Sequence, residues 1–229
     1  KRIVDANGDT ITRGDPIKRG KTTARIFKSR KSDGTALVWK QAQELTKYEL
    51  DRMAANRAIQ NEIAILEILN KSEDLKVPKI LARGSVTELD EEGENATFDV
   101  LVMDLIQGKS LSETMESFIQ NETRMPFRRI KQILVGICET LEFMYEQADP
   151  DGKNIFHRDL KSSNIILEKK SNSPYLIDFG SATQLGEDGE AQALKDQDIE
   201  SMKSSREQLA TWWCGGGAVV VRWWCGGGA

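Results

Sequence analysis

The sequence predicts an α+β fold of two lobes: a β-rich first lobe with one helix, and a second lobe that opens with a long helix and a small hairpin. Three observations predict it. Short alternating apolar runs fill the chain up to about residue 105, interrupted by one helical stretch. Ile106-Gln107-Gly108 then forms a natural hinge. Beyond it lies a long stripe of helical period, followed by two short apolar segments. The expected divisions are 1–107, 108–211 and an atypical tail, 212–229.

Ala24 to Lys28 and Ala36 to Ala42 each read as a strand, joined by a turn at Ser32-Asp33-Gly34. Residues 44 to 70 look helical, because Ile59, Ile63, Leu66 and Leu69 fall three or four apart with charges between them. Pro78 breaks that pattern, and Lys79-Ile80-Leu81-Ala82 follows as a short strand. The acidic stretch Glu88 to Glu94 reads as a solvated hairpin connection, and Phe98 to Leu105 as an apolar strand. Phe127 to Tyr145 is a strongly amphipathic helix, with Ile130, Ile133, Leu134, Ile137, Leu141 and Met144 on one stripe and Cys138 beside it. Ile165-Ile166-Leu167 and Tyr175-Leu176-Ile177 form a small hairpin. Residues 181 to 211 are polar and weakly periodic, open to a loop, to a short helix near Asp198, or to both. Trp212-Trp213-Cys214-Gly215-Gly216-Gly217-Ala218 recurs identically at 223–229; a sequence artefact explains this tail as well as native sequence does, and it receives no function.

Composition narrows the function. With 229 residues, 39% hydrophobic and 30% charged, a packed core is within reach. The formal charge of -4 gives no electrostatic drive toward nucleic acid, so none is expected as a partner. No apolar run approaches the roughly 20 residues of a spanning helix, so no transmembrane segment is expected. Three cysteines make no disulfide framework, and no signal-peptide pattern opens the chain; an intracellular, reducing compartment is expected, most readily the cytoplasm. A single histidine excludes a His-rich metal site.

The chemistry concentrates in His157-Arg158-Asp159-Leu160-Lys161-Ser162-Ser163-Asn164 and in Asp178-Phe179-Gly180. A carboxylate and an amide five residues apart on a loop can face one small volume, and Asp178 at a strand end can point into it. Oxygen donors of this kind suit Mg²⁺, which takes few protein ligands and completes its shell with phosphate and water. Asp159 is then available to accept a proton, and Lys161 to steady a phosphoryl group.

These loops closely resemble the catalytic and metal-binding loops of eukaryotic-type protein kinases. The resemblance implies the kinase fold, with a mainly helical second lobe that is expected to be incomplete at the C-terminus, ATP and Mg²⁺ as cofactors, and transfer of the γ-phosphate to a hydroxyl, most readily serine or threonine of a protein substrate. It makes Asp159 the catalytic base and Lys161 the γ-phosphate contact. Asn164 and Asp178 become the metal ligands, with His157 and Arg158 structural. It also makes Lys40 the strand-borne lysine for the α- and β-phosphates, Glu62 its carboxylate partner, and Met103 the residue beside adenine. Asp104 and Leu105 would offer backbone hydrogen bonds.

The phosphate-covering loop departs from the family pattern. Counting back from Lys40, only Gly20 matches a glycine place, and Lys18 and Thr23 stand at the others. Lys18, Arg19 and Lys21 could partly compensate by charge. Gly14 to Thr22 also imitates an ATPase phosphate loop, but five residues separate its glycines where four are needed, and the stretch leads into a strand. No Ala-Pro-Glu follows Gly180. The alternatives are therefore a kinase-like scaffold or pseudokinase within a larger protein complex, and a compact small-molecule kinase. Ser181, Thr183, Ser201, Ser204 and Ser205 are candidate phosphorylation sites.

Overall fold

The computed structural model describes residues 1–18, 24–43, 52–90, 93–146, 153–185 and 193–201. Gly20 with its basic neighbours, the start of the first expected helix, Ser204, Ser205 and the Trp-rich tail lie outside the described residues.

The first part is one antiparallel sheet with a helix against it. Its strands are β1 (Arg2–Val4), β2 (Thr10–Lys18), β3 (Ala24–Lys31), β4 (Ala36–Ala42), β5 (Ile80–Leu89) and β6 (Asn95–Asp104), in the spatial order β1-β2-β3-β4-β6-β5. The β3–β4 turn closes where Gly34 N–H donates to Lys31 O, with Gly34 at φ 88°. The β5–β6 connection is the expected acidic hairpin, pairing Leu89 with Asn95. β5 runs well beyond the expected four residues. Only Ala82 and Val86 of its length are buried, so few apolar residues announce it. β1 was not anticipated. It extends the sheet at β2 and comes round to β5, where Lys1 Nζ donates to Thr87 O at 2.6 Å.

Helix α1 (Arg52–Leu69) packs on β4, β5 and β6 through Ala55, Ile59, Ile63 and Leu66, as its spacing predicts. The sheet is buried on both faces: Leu101 on the Lys40 side that meets α1, and Leu37, Trp39 and Val100 on the opposite side, all at most 1% exposed. Burying each such side chain contributes about 1.5–3 kcal/mol.

Past the hinge, β7 (Gly108–Ser110) leads directly into α2 (Leu111–Gln120). α2 is absent from the sequence expectation, yet it carries a legible start: Ser110 Oγ accepts from Glu113 N–H, and the Glu113 carboxylate accepts from Ser110 N–H. Helix α3 (Phe127–Glu146) buries Ile130, Ile133, Ile137, Leu141 and Met144, while Cys138 is half-buried beside them. α3 rests on β8 (Asn154–Phe156) and β10 (Pro174–Leu176). The expected small hairpin is β9 (Ile165–Glu168) with β10, and β7 joins its other side. Gly108 lies so near β9 that an added Cβ would stand 2.0 Å from Leu167 O. β11 (Thr183–Leu185) pairs with β8, and a further helix, α4, covers 193–201. No helix among the described residues is long and apolar enough to cross a membrane.

Candidate active site

Three elements far apart in sequence meet at Lys40. β4 alternates so that Val38 and Lys40 share one face, opposite the face of Leu37, Trp39 and Gln41. Lys40 Nζ stands 2.6 Å from Glu62 Oε2 on α1 and 2.7 Å from Asp178 Oδ1, just after β10. The side chains of Lys40 and Glu62 are 7% and 1% exposed, whereas that of Asp178 is 43% exposed, so the cluster opens on the Asp178 side.

Burial opposes the Lys40 charge more than any other single influence, but the two carboxylates outweigh it and hold the ammonium above its ordinary value. Burial also works against the Asp178 charge; Lys40 overcomes it and keeps that carboxyl below the usual range. Glu62 moves the other way, pushed up by burial and by the neighbouring charge of Asp178 despite Lys40. Glu62 Oε1 also accepts Phe179 N–H at 3.3 Å, so one carboxylate grips both the lysine and the backbone beyond Asp178.

The second cluster is the 157–164 loop. Lys161 Nζ lies 2.8 and 2.6 Å from the two carboxylate oxygens of Asp159. Asn164, buried in the short 3₁₀ turn Ser162–Asn164, donates Nδ2 to Asp159 O at 2.8 Å and to Asp159 Oδ2 at 2.9 Å. The loop is joined to Asp178 through backbone, because Ile177 N–H donates to Asn164 O at 2.9 Å. Arg158 and Asp178 adopt φ values of 62° and 68°, sparsely populated for residues with a side chain, so both are held by their surroundings.

Beneath this loop His157 is fully buried, and its ring packs against Phe179 with centroids 4.9 Å apart. Burial lowers its pKa, which keeps the ring neutral. Nδ1 accepts Asp159 N–H at 3.3 Å, so the ring proton is on Nε2 and is donated to Ile177 O at 3.1 Å. Asp198 of α4 closes the base of the loop. Its carboxylate accepts His157 N–H and Arg158 N–H, each at 2.8 Å, and Tyr145 O–H at 3.2 Å. Of the options left open for 181–211, a short helix at Asp198 is therefore present, and Asp198, which the sequence marks only as part of that helix, supports the loop.

The expected adenine-side residues lie at the end of β6. Met103 is buried and paired across the sheet with Val38 and Ile80. At Asp104, expected to offer backbone hydrogen bonds, the N–H already donates to Lys79 O at 3.1 Å and the carboxylate accepts Lys79 N–H at 2.6 Å. Burial raises the Asp104 pKa. Leu105 is half-buried beyond it. The start of β5 beside the end of β6 is what occupies Asp104, a neighbour that sequence order does not reveal.

No three His, Cys, Asp or Glu side chains among the described residues converge on one point. The donors on offer are the Asp178 carboxylate and the Asn164 carboxamide, a sparse oxygen set that fits Mg²⁺ carried on a phosphate chain. The Lys40 ammonium beside Asp178 fits the phosphate charge.

The protein kinase domain family matches residues 16–207. A Helianthus annuus protein carrying the name of a serine/threonine-protein kinase is 30% identical over 157 residues, covering 69% of this chain and 57% of that protein. A Dictyostelium discoideum protein, likewise named as a serine/threonine-protein kinase, is 30% identical over 128 residues, covering 56% of this chain and 10% of that protein. The dual specificity protein kinase zakA of Dictyostelium discoideum is 25% identical over 159 residues, covering 69% of this chain and 17% of that protein. The chain thus matches 57% or less of each of these relatives' own length. With the match running from within β2 through α4 and the ion-paired lysine, the 157–164 loop and Asp178 all inside it, the chain belongs to the protein kinase domain family.

Proposed function

We propose that the protein is an ATP- and Mg²⁺-dependent phosphotransferase of the serine/threonine type, acting on a hydroxyl of a protein substrate between lobes 1–107 and 108–211. The observation that supports it is the Lys40 ammonium within 2.7 Å of both Glu62 and Asp178, because this brings the sheet, α1 and the 178–180 segment together in one arrangement. Mg²⁺, when bound, screens the triphosphate charge and polarises the transferring phosphoryl group.

This chain's residues divide the remaining work. Lys40 holds phosphate oxygens, and Glu62 keeps it extended toward them. Asp178 and the Asn164 carboxamide oxygen hold the metal, the Asn164 nitrogen being engaged by Asp159. Asp159 takes the proton of the acceptor hydroxyl as its oxygen bonds to phosphorus and the bond to ADP breaks. Lys161, already on Asp159, neutralises charge at the transferred group. Met103 lines the adenine, and because the Asp104 N–H is engaged, the backbone donor role passes to Leu105 and beyond. Gly20 is assigned to the phosphate-covering loop by its place in the sequence alone.

The test is phosphoryl transfer from ATP to a generic protein substrate, with Asp159→Asn as the control. Loss of general-base assistance corresponds to about 10²–10⁴-fold in rate; an unchanged rate in the variant removes the mechanism. The scaffold reading is favoured by the loop in which Lys18 and Thr23 replace glycines. Thermal stabilisation by Mg·ATP without turnover would select it.

A further inference from the structure

Helix α1 carries the acid of the ion pair, and three asparagines on or just after it reach out of the helix to backbone groups elsewhere. Asn56 donates Nδ2 to Thr97 O at 3.2 Å and accepts Asp99 N–H at 2.9 Å through Oδ1. Its amide thereby bonds β6 just past the last β4 pair, Gln41 with Val100. Asn70 does the same at the entry to β5, donating to Pro78 O at 2.9 Å and accepting Ile80 N–H at 2.8 Å. Asn61, immediately before Glu62, points the other way. Its Nδ2 donates to Ala182 O at 2.8 Å and lies 3.5 Å from Gly180 O.

These contacts repeat, in uncharged form, the two attachments of Glu62. Glu62 joins α1 to the sheet through Lys40 and to the 178–180 segment through Phe179 N–H. Asn56 and Asn70 join α1 to the sheet, and Asn61 joins it to the segment. Among the described residues, Asn61 is the α1 carboxamide that bonds the segment, beside the contact of Glu62 to Phe179 N–H.

We infer that Asn61 is a positioning residue that couples α1 to the segment after Asp178, so that the Lys40–Glu62–Asp178 geometry is held before any ligand or phosphate arrives. Its importance for turnover rests on the phosphotransferase reading; the coupling itself does not. The link is neutral, so it persists at pH values where carboxylates titrate.

The experiment compares the full chain with Asn61→Ala, Asn61→Asp and the exposed α1 control Arg57→Ala. Alanine has the higher helix propensity, so Asn61→Ala does not weaken α1 itself. Aspartate keeps the shape but has no N–H to donate. Hydrogen exchange of peptides spanning 178–185 is expected to quicken about 2- to 10-fold in both Asn61 variants, the range of one net hydrogen bond, and to stay unchanged in Arg57→Ala. The β9–β10 peptides stay unchanged in all three. For the active protein, kcat falls by a similar factor while KM for ATP holds and the melting temperature of Asn61→Ala does not drop. Unchanged exchange at 178–185 in either Asn61 variant overturns the coupling. A wild-type protein without turnover removes the phosphotransferase reading and leaves the exchange result to decide this one.

Discussion

The carboxylate of Asp198 accepts the backbone N–H of His157 at 2.8 Å, joining a helix near the described end of the chain to the root of the 157–164 loop. The same carboxylate takes Arg158 N–H and Tyr145 O–H. The Tyr145 hydroxyl stays protonated, since burial first and the Asp198 charge second push its pKa up. Each donor left buried and unpaired costs about 1–3 kcal/mol. Asp198→Ala is therefore expected to lose at least about 3 kcal/mol in urea unfolding, with Asp198→Asn intermediate because one acceptor oxygen remains. A loss below about 1 kcal/mol would mean water replaces the carboxylate there.

Lys40 and Glu62 are not equivalent partners. Removing the ammonium in Lys40→Met leaves Glu62 and Asp178 facing each other, one of them fully buried. An orphaned buried charge costs about 3–5 kcal/mol. Glu62→Gln is milder, because Asp178 still meets Lys40 at 2.7 Å. Denaturant midpoints should rank wild type, Glu62→Gln, Lys40→Met in falling order. The double variant Lys40→Met/Glu62→Leu should recover part of the single Lys40→Met loss.

His157 gives a pH signature that can be isolated, because the chain has one histidine. Its folded pKa lies below its unfolded value near 6.5, chiefly through burial. Between those two values the unfolded chain binds the extra proton, so stability rises with pH across that window and is lost as pH falls through it. The contribution is fully present above about pH 6.5. Melting temperatures at pH 7.0 and 5.5 should differ by less in His157→Phe than in wild type. An equal difference in both would show that the buried ring does not govern this limb.

Gly108 is fixed by contact rather than by its backbone angle. Alanine there would place Cβ 2.0 Å from Leu167 O and 2.8 Å from Leu167 C, and neither backbone atom can swing aside as a side chain would. Gly108→Ala should cost the upper part of the range of about 1–3 kcal/mol typical of overpacking. That corresponds to roughly 4–12 °C in melting temperature for a domain of this size. Gly34→Ala, with nothing near its Cβ position, tests φ alone and should cost less.

Legibility in the sequence followed how tightly chemistry restricts residue type. Lys40, Glu62, Asp159, Lys161, Asn164 and Asp178 were readable because few side chains serve those roles, and the structure brings them together in the two clusters described. The α1 and α3 stripes were readable because burial follows their period. β1 and most of β5 were not, since strands with little buried surface carry little alternation. α2 could have been found from Ser110 and Glu113, three apart ahead of an apolar run. Asn56, Asn61 and Asn70 had no signal: their partners are backbone groups, which look alike in every sequence. The engaged N–H of Asp104 was hidden for the same reason.

The return of β1 toward β5 bears on how the protein behaves in company. An open strand margin is a template for another chain, and proteins commonly blunt it with charge or by covering it. Here the lysine at position 1 spends its ammonium on a β5 carbonyl, and a methyl added at Gly84 would lie 3.9 Å from Ile3 Cγ2. The two outer strands therefore shield each other. Deleting Arg2–Val4 would bare both flanks at once and favour self-association over loss of fold.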